Sequence, residues 1–444
     1  LNRAAAVLRR VTPSLPADAA LRTELAAHRQ YSPAERRAVV RAVFAFYRWN
    51  MWLDDRASLQ AQLEAALTLQ TRFDQSPTNI KAEALAARAV PAWLKDELAL
   101  TPDYLRQLQR DPALWLRTRL GRTAGVAKEL RDCVPAGEAL GQPLPEALRY
   151  TGPRDLFLTE PFQKGLFEIQ DLGSQLVGRA CAPEPGQIWW DACAGEGGKS
   201  LHLADLMQGR GLLWASDRSE RRLAVLQKRA ARAEVFNYRH APWEGSAQLP
   251  TKTKFDGILF DAPCSGVGTW QRNPHARWTT TPADVAELAA TQASLLANVA
   301  PALKPGGRLV YAVCTLTRSE TTAIADAFTA AHPEFEPVPV FANRPETALT
   351  FWPQELYANG MFVASLATIA LATYLVAVGM KKYARYQKWA MVIGLVGFAV
   401  GGILLLVTSK ADFIEIFNRQ AQHLYGADDA YAATIANAGE GMSP

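Results

Sequence analysis

The fold is decided by the stretch Ile188-Trp189-Trp190-Asp191-Ala192-Cys193-Ala194-Gly195-Glu196-Gly197-Gly198-Lys199-Ser200. Its pattern is that of a buried strand, a glycine-rich turn and the start of a helix. Glycines let the backbone come close to a ligand, and the amino end of a helix offers unpaired N–H donors to a carboxylate or a phosphate. The stretch therefore predicts a ligand site directly after a strand.

Strands and helices alternate on both sides of this stretch, which predicts an open, doubly wound α/β sheet of parallel strands. The clearest helices are expected at 220–233 and 282–303. Right-handed crossovers place the carboxyl ends of all the strands at one edge, where such sheets bind their ligands. The strands are expected at 187–191, 211–217, 235–239, 255–261 and 308–315.

Several kinds of ligand use a glycine turn of this type. A dinucleotide fingerprint would begin at Gly195 but meets Ser200 at its last glycine, and a nucleotide-phosphate loop would need a glycine at Cys193. Both alternatives fail by one residue. Asp217, at the end of the second strand, is placed to accept hydrogen bonds from the two hydroxyls of a ribose. An adenosyl cofactor fits this pattern, and a purely structural turn stays the alternative.

Two cysteines follow neighbouring strands at this edge. Cys264 lies in the stretch 261–266, directly after the fourth strand, and Cys314 lies at the end of the fifth. A single cysteine at such a place is most often a small buried apolar residue, but a pair is harder to explain by packing alone. Carbon 5 of cytosine takes a methyl group only after a thiolate has added to carbon 6. Asp261 is placed to hydrogen-bond the cytosine and orient it.

These motifs resemble the Sun family of RNA cytosine-5 methyltransferases, which includes the bacterial Fmu or RsmB ribosomal RNA enzymes. The family's cofactor loop, Asp-x-Cys-Ala-x-x-Gly-Gly-Lys, matches 191–199, with Gly195-Glu196 where Ala-Pro or Pro is commoner. Its Asp-Ala-Pro-Cys-Ser-Gly motif matches 261–266 in full. Its Thr-Cys motif matches Val313-Cys314, with Val in place of Thr or Ser. The resemblance runs from about Asp111 to Ala364.

The resemblance implies a Rossmann-like methyltransferase sheet, S-adenosyl-L-methionine as cofactor and a ribosomal or transfer RNA as partner. Cys314 is then expected to be the nucleophile, and Cys264 to assist release of the methylated base. Asp217 and Asp261 are expected to contact the cofactor. The other expected cofactor contacts are Cys193, Ala194, Gly195, Glu196, Gly197, Gly198 and Lys199.

Two features of the family bear on the substrate and on the adenine site. DNA cytosine methyltransferases attack from the Pro-Cys cysteine, so a pair of cysteines points to RNA. The family often has an aspartate after the third strand that binds adenine. This chain has Trp243 and Glu244 in that region, and which of them replaces the aspartate stays open.

Residues 1–91 have a helical pattern, and residues 92–161 predict a small α+β connector ahead of a methyltransferase domain at 162–364. Ser32-Pro33-Ala34-Glu35 predicts a capped helix start. The resemblance gives the amino-terminal helices the role of an RNA-binding module. The alternative is a solvated charged face over a buried aromatic one. The residues expected to meet RNA are Arg36, Arg37, Arg41, Arg48, Arg272, His275, Arg277 and Trp278.

The length and composition of the chain limit its number of domains and the kinds of site that it can carry. The 444 residues predict two or three domains. With 48 basic and 43 acidic residues, a nucleic-acid surface has to come from local clusters of charge. The five cysteines form no Cys-x-x-Cys pair and have no histidine at zinc-ligand spacing. They therefore predict neither a disulfide framework nor a metal site, and favour a cytoplasmic compartment. We expect a monomer.

Two uncharged apolar runs, 361–380 and 389–408, have the length that spans a bilayer and predict a two-helix membrane hairpin. The connection 381–388 carries four positive charges, which the positive-inside rule would keep in the cytoplasm. A two-span hairpin would then leave the methyltransferase domain outside, away from its cofactor.

The sequence just before this segment favours another interpretation than a membrane-anchored methyltransferase. Residues 359–364 fit the closing strand of the family, and the membrane-like sequence follows without a linker. We therefore interpret the segment 365–444 as a fused piece that adds nothing to catalysis, and we doubt membrane contact through 361–408. The alternatives for the whole chain are a membrane-anchored RNA-binding protein with a decayed site and a small-molecule methyltransferase of the same fold.

Overall fold

The first 108 residues are largely helical in the structure, a computed structural model that describes residues 1–28, 30–369 and 380–436. Ser32 begins a helix as predicted, because its hydroxyl accepts from the N–H of Glu35 and the Glu35 carboxylate accepts from the N–H of Ser32. The helices pack through apolar side chains such as Val7, Val43 and Leu63. They are α1 (Asn2–Arg10), α2 (Ala17–Ala27), α3 (Pro33–Arg48), α4 (Leu59–Gln75), α5 (Ala82–Arg88) and α6 (Pro102–Leu108).

A small antiparallel sheet with strand order β2-β5-β1-β6 follows the helices. Arg117 of its central strand β1 is buried and binds Asp205 at 2.5 Å and Gln170 at 2.6 Å, which ties this sheet to the larger one. The strand β6 lies beyond residue 161. The elements are β1 (Leu114–Thr118), α7 (Thr123–Leu130), β2 (Cys133–Pro135), β3 (Glu138–Ala139), β4 (Gln142–Pro143), β5 (Ala147–Tyr150), α8 (Glu160–Gln163) and β6 (Phe167–Ile169).

The large sheet has the order β12-β14-β11-β10-β7-β8-β9, with β13 paired to β14. Its strands β7 to β11 are parallel, and β14 is antiparallel to β11. Its strands are β7 (Ile188–Asp191), β8 (Leu212–Ala215), β9 (Tyr238–His240), β10 (Phe255–Asp261), β11 (Leu303–Val313), β12 (Phe335–Pro337), β13 (Ala348–Phe351) and β14 (Met361–Thr368). Its helices are α9 (Leu172–Cys181), α10 (Gly198–Leu206), α11 (Glu220–Arg232), α12 (Ala276–Thr279), α13 (Pro282–Val299), α14 (Thr322–Ala331) and α15 (Pro353–Leu356).

Helices cover both faces of this sheet, which confirms the predicted doubly wound α/β fold. Alternate side chains along each strand point to opposite faces, so Trp189 packs with α9 to α11 and Trp190 packs with α13. The third strand begins later than predicted, because Val235 still donates to Ala230 of α11 at 2.9 Å. The fifth begins earlier, because Leu303 already pairs with Phe255.

The predicted membrane hairpin is not supported. The membrane prediction for the first apolar run is wrong over Met361–Thr368, which form the strand β14 between β11 and β12, whereas the closing strand expected at 359–364 is confirmed in part. Residues 370–379 of that run lie outside the described residues. An apolar strand covered on both faces lacks the polar alternation that would distinguish it from a membrane segment. In the stretches 1–28, 30–369 and 380–436, no helix is long and apolar enough to cross a membrane.

The second apolar run lies in the helix α16 (Met380–Val407), which α17 (Lys410–Tyr425) and α18 (Ala430–Ala436) follow. The chain divides into two compact units, residues 1–370 and residues 371–444. Because β14 continues to Thr368, a boundary at Ala364 would cut through a paired strand.

Candidate active site

The loop between β7 and α10 turns at two glycines in the left-handed backbone region, Gly195 (φ 56°) and Gly197 (φ 84°). A Cβ on Gly195 would clash with the guanidinium of Arg222, and one on Gly197 would lie 2.5 Å from Cγ of Leu226. Both positions therefore need glycine, for their backbone conformation and for the close approach of α11.

Asp217, two residues after β8, holds this loop in place. One carboxylate oxygen accepts from the N–H of Gly195 at 2.9 Å and from Arg222 at 3.2 Å. The other accepts from the N–H of Ser219 at 2.9 Å. The side chain is only 5% exposed. A carboxylate oxygen has room for a further donor, so Asp217 remains able to bind a hydroxyl from the cavity that it lines.

Asp191 and Asp261 end the neighbouring strands β7 and β10. Asp191 is buried and accepts from the Ser200 hydroxyl at 2.6 Å; burial raises the pKa of its carboxyl to about 7, although that hydrogen bond acts in the opposite direction. Asp261 forms an ion pair with Lys199 at 2.7 Å. Burial opposes the charge of Lys199, but the carboxylate of Asp261 outweighs it and raises the lysine pKa. The first turn of α10 therefore carries a fixed positive charge.

The two cysteines lie together, as their positions after adjacent strands predict. Sγ of Cys264 and Sγ of Cys314 are 3.2 Å apart. Their hydrogen bond raises the pKa of Cys264 well above its usual value, and burial adds to this effect. The same hydrogen bond lowers the pKa of Cys314 against the effects of burial and of the Asp261 charge, and the charge of Lys199 also lowers it. Of the two thiols, Cys314 is therefore the one that ionises more readily.

Glu320, which the sequence did not single out, joins the loops that carry the two cysteines. It is fully buried. Its carboxylate accepts from the backbone N–H of Ser265 at 2.8 Å and from the Ser265 hydroxyl. It also accepts from the hydroxyls of Thr315 at 3.1 Å and Thr317 at 2.8 Å, and from the Gln292 amide at 3.0 Å. A carboxylate with five donors fixes the two loops relative to each other.

A cavity of about 420 Å³ joins these groups. Of the predicted site residues, Cys193, Lys199, Asp217, Asp261, Cys264 and Cys314 line it. The predicted contacts Ala194, Gly195, Glu196, Gly197 and Gly198 are not part of the lining and shape the turn behind it. Trp243 and Glu244 both line the cavity. Lining residues that the sequence did not indicate include Ser174, Arg218, Arg222, Thr269 and Asn359.

Several residues expected to meet RNA are structural instead. Arg277 is fully buried and donates to the carbonyls of Ala89 at 2.8 Å and Leu108 at 3.0 Å. The Trp278 indole donates to the carbonyl of Tyr47 at 2.6 Å. These bonds fasten α12 to the amino-terminal helices.

The basic helix α3 was also predicted to present free arginines. Arg48 is instead fully buried, with an ion pair to Asp111 at 2.6 Å, and Arg41 pairs with Asp74 at 2.8 Å. The prediction of an exposed basic stripe that includes Arg48 was therefore wrong, and the aromatic face of the helix is largely buried as the alternative expected.

Comparison with known proteins connects this geometry to a family. Residues 179–367 match the family described as 16S rRNA methyltransferase RsmB/F, and this segment holds the glycine loop and both cysteines. The segment 179–367 is therefore similar to the RsmB/F family. The match confirms the resemblance to the Sun family and the expected cofactor, S-adenosyl-L-methionine.

Curated relatives match part of the chain. A probable ribosomal RNA small subunit methyltransferase B from Synechocystis is 33% identical over 292 residues, which are 62% of this chain and 64% of that protein. One of the same name from Bacillus subtilis is 40% identical over 186 residues, 40% of each chain. The chain thus spans less than two thirds of the length of these relatives.

Solved structures show the same fold. The crystal structure of PH0851 has a TM-score of 0.66 and 22% identity, and covers 82% of this chain and 97% of that one. The structure of NSun6 from Pyrococcus horikoshii with SFG has a TM-score of 0.53 and 19% identity, and covers 60% of this chain and 94% of that one. At these identities the likeness concerns the fold.

The structure also explains one departure from the RsmB/F motifs. Val313 stands where Thr or Ser is usual, and it is the last residue of β11, fully buried opposite Phe362. It does not line the cavity. The valine therefore leaves the polar groups around Cys314 unchanged.

Proposed function

We propose that this chain transfers a methyl group from S-adenosyl-L-methionine to carbon 5 of a cytosine in RNA, through a covalent adduct at Cys314. The proposal depends on one observation above all: the Cys264 and Cys314 sulfurs, 3.2 Å apart, line the same cavity as Asp217 and the cofactor loop. A nucleophile and a cofactor site that share one cavity bring two reactants together in a fixed orientation.

The groups of the cavity fit an adenosyl cofactor. Its volume of about 420 Å³ lies in the range of ligand pockets. Asp217 accepts hydroxyl donors, Trp243 offers an aromatic surface, and Cys193 lines the side of the glycine loop. When bound, S-adenosyl-L-methionine supplies an electrophilic methyl group.

Cys314 begins the reaction. Its thiolate adds to carbon 6 of the cytosine, and the electron pair of the C5–C6 double bond moves toward carbon 5. Carbon 5 would then take the methyl group as the bond between that methyl group and the cofactor's sulfur breaks, which would leave S-adenosyl-L-homocysteine. Loss of the carbon 5 proton to a base then restores the double bond, and the bond between sulfur and carbon 6 breaks. Cys264 assists this last step, because its S–H is placed to donate to the departing thiolate of Cys314.

Asp261 and Lys199 prepare the base and the nucleophile. The Asp261 carboxylate is partly exposed in the cavity and accepts from the exocyclic amine of cytosine, which orients the ring. Lys199 holds Asp261 at 2.7 Å and favours the thiolate of Cys314 by its charge. One lysine therefore serves both the orientation of the base and the ionisation of the thiol.

RNA is proposed as the substrate because the similar curated proteins are named for ribosomal RNA of the small subunit. The cysteines lie inside a cavity, so the target cytosine has to leave any base stack before it reacts. A single-stranded segment or an opened helix meets this need. We further propose a cytoplasmic, monomeric enzyme.

The experiment measures tritium transfer from methyl-labelled cofactor to unmethylated small-subunit ribosomal RNA, with 5-methylcytosine mapped in the product. Cys314→Ala should abolish transfer and keep RNA binding. Cys133→Ser is the matched control, since Cys133 lies in β2 of the small sheet and should leave activity unchanged.

The other outcomes identify the alternatives. Binding of RNA by the wild type without any methyl transfer indicates a decayed, RNA-binding protein. Cofactor binding without RNA binding indicates a small-molecule methyltransferase of the same fold. Transfer that survives Cys314→Ala contradicts the proposed adduct.

A further inference from the structure

A second groove, of about 660 Å³, lies where α4 and the end of α6 meet the small antiparallel sheet. We call it the arginine groove, after its two arginines. The residues that define it are Asp74, Arg110, Asp111, Arg149, Tyr150 and Tyr357. The established family motifs do not include these residues.

The arginine groove carries an uncompensated positive charge. Its two acids are already paired with arginines of α3 that are not part of its lining: Asp74 with Arg41, and Asp111 with Arg48. Arg110 and Arg149 form no ion pair or side-chain hydrogen bond with the described residues. Two positive charges therefore remain for an anionic ligand.

Among the aromatic residues that line this groove, Tyr357 is the exposed one. Its side chain is 50% exposed, although its backbone lies in the left-handed region (φ 50°), where glycine or asparagine is usual after a helix. The Trp115 indole donates to its carbonyl at 3.0 Å and holds this conformation. The half-exposed ring is accessible to a ligand.

The groove and the reaction cavity are each lined by a residue of one short piece of chain. Tyr357 lines the groove, and Asn359, two residues later, lines the cavity with the cysteines. Two residues span at most about 7 Å. The Asp171 carboxylate accepts from the N–H of Asn359 at 3.1 Å, so this connection is fixed.

We infer that the arginine groove holds the single-stranded RNA next to the target cytosine, with Arg110 and Arg149 on its phosphates and Tyr357 stacked on a base. This inference rests on the proposed function. It assigns the RNA contacts to residues other than the arginines of α3 and α12, whose side chains are largely engaged within the protein. Free cations on phosphates and an exposed aromatic ring on a base are the usual means of holding a single strand.

The test is the salt dependence of binding to unmethylated small-subunit ribosomal RNA. Each phosphate contact contributes about 0.7 to the slope of log affinity against log salt for a single strand, so the double variant Arg110→Gln and Arg149→Gln should lower the slope by about 1.4. Tyr357→Asn keeps a residue that tolerates the backbone conformation and should weaken binding roughly tenfold.

The matched control is the double variant Arg56→Gln and Arg88→Gln, which changes net charge equally at two exposed residues outside the groove lining. It should leave the slope nearly unchanged. If both double variants lower the salt slope equally, or if the groove variant does not lower it, the inference is overturned. Methyl transfer by the wild type would still support the proposed function in that case. If the groove variant lowers the salt slope but the wild type transfers no methyl group, the role of the groove is supported and the proposed chemistry is contradicted. A wild type that does not bind this RNA overturns both.

Discussion

Glu320→Gln tests how the cysteine pair is held. The carboxylate accepts from five donors, and glutamine has nearly the same shape but no charge and only one acceptor oxygen. Hydrogen bonds to a charged group contribute about 1.5–3 kcal/mol and neutral ones about 0.5–1.5 kcal/mol. Five bonds weakened by about 1 kcal/mol each, offset in part by the cost of burying the charge, give an expected loss of about 2 kcal/mol in the free energy of unfolding.

The same substitution should change which thiol reacts. The charge of Glu320 helps to keep the pKa of Cys264 high, after the effects of the Cys314 hydrogen bond and of burial. In the wild type, Cys314 should therefore be alkylated first as the pH rises, with Cys264 unreactive. Without the charge the pKa of Cys264 falls, so its alkylation should begin at a lower pH than in the wild type. Iodoacetamide labelling, with peptide mass spectrometry at each pH, measures both rates without RNA or cofactor.

Thr317→Val tests whether the charge of Glu320 or the number of its hydrogen bonds sets the order in which the two thiols are alkylated. It removes one donor to Glu320 but keeps the carboxylate, so it should cost about 1 kcal/mol of stability and leave the order of alkylation unchanged. If Glu320→Gln lowers stability but keeps the wild-type ratio of Cys314 to Cys264 labelling at every pH, Glu320 has a structural role only and the reasoning fails.

Two further predictions concern the reaction. Cys264→Ser keeps a hydroxyl donor beside Cys314 but should slow release, so a protein–RNA adduct should accumulate as a band that survives a denaturing gel; a variant that turns over without any adduct contradicts the release role. Lys199→Met removes a charge that lowers the pKa of Cys314, so less thiolate is present at a given pH and the rising limb of the pH–rate profile should move to higher pH. Lys128→Met, on the exposed side of α7, should not move it, and an unmoved limb in Lys199→Met would refute the electrostatic role.

Much of the sheet could be predicted because its signals are local. The strand that ends at Asp191 and the helix after Gly197 follow from periodicity and from glycine chemistry. Adjacent parallel strands end at the same edge, so the nearness of Cys264 and Cys314 also follows from topology. The catalytic roles of these residues stay predictions.

The residues that were missed or misjudged have partners far away in the sequence. Arg277 was expected at a surface but binds carbonyls near residues 89 and 108, and no local pattern indicates such partners. Glu320 lies in an ordinary polar stretch, and its importance appears only when five donors surround it. The start of β14 was expected from the family resemblance, but by its apolar pattern the strand was also assigned to a membrane segment, because burial on both faces removes the alternation on which strand prediction depends.

The place of β14 has a consequence for how this chain folds during translation. Its residues Met361–Thr368 are the last strand of the first unit, yet they fill a gap inside the sheet and join β11 to both β12 and β13. While the nascent chain is shorter than this, the strand that leads to Cys314 has an open edge, which invites pairing with other chains. The strand β11, which leads to Cys314, therefore gains its last neighbour only after nearly the whole first unit has been translated, and shorter products should be prone to aggregate.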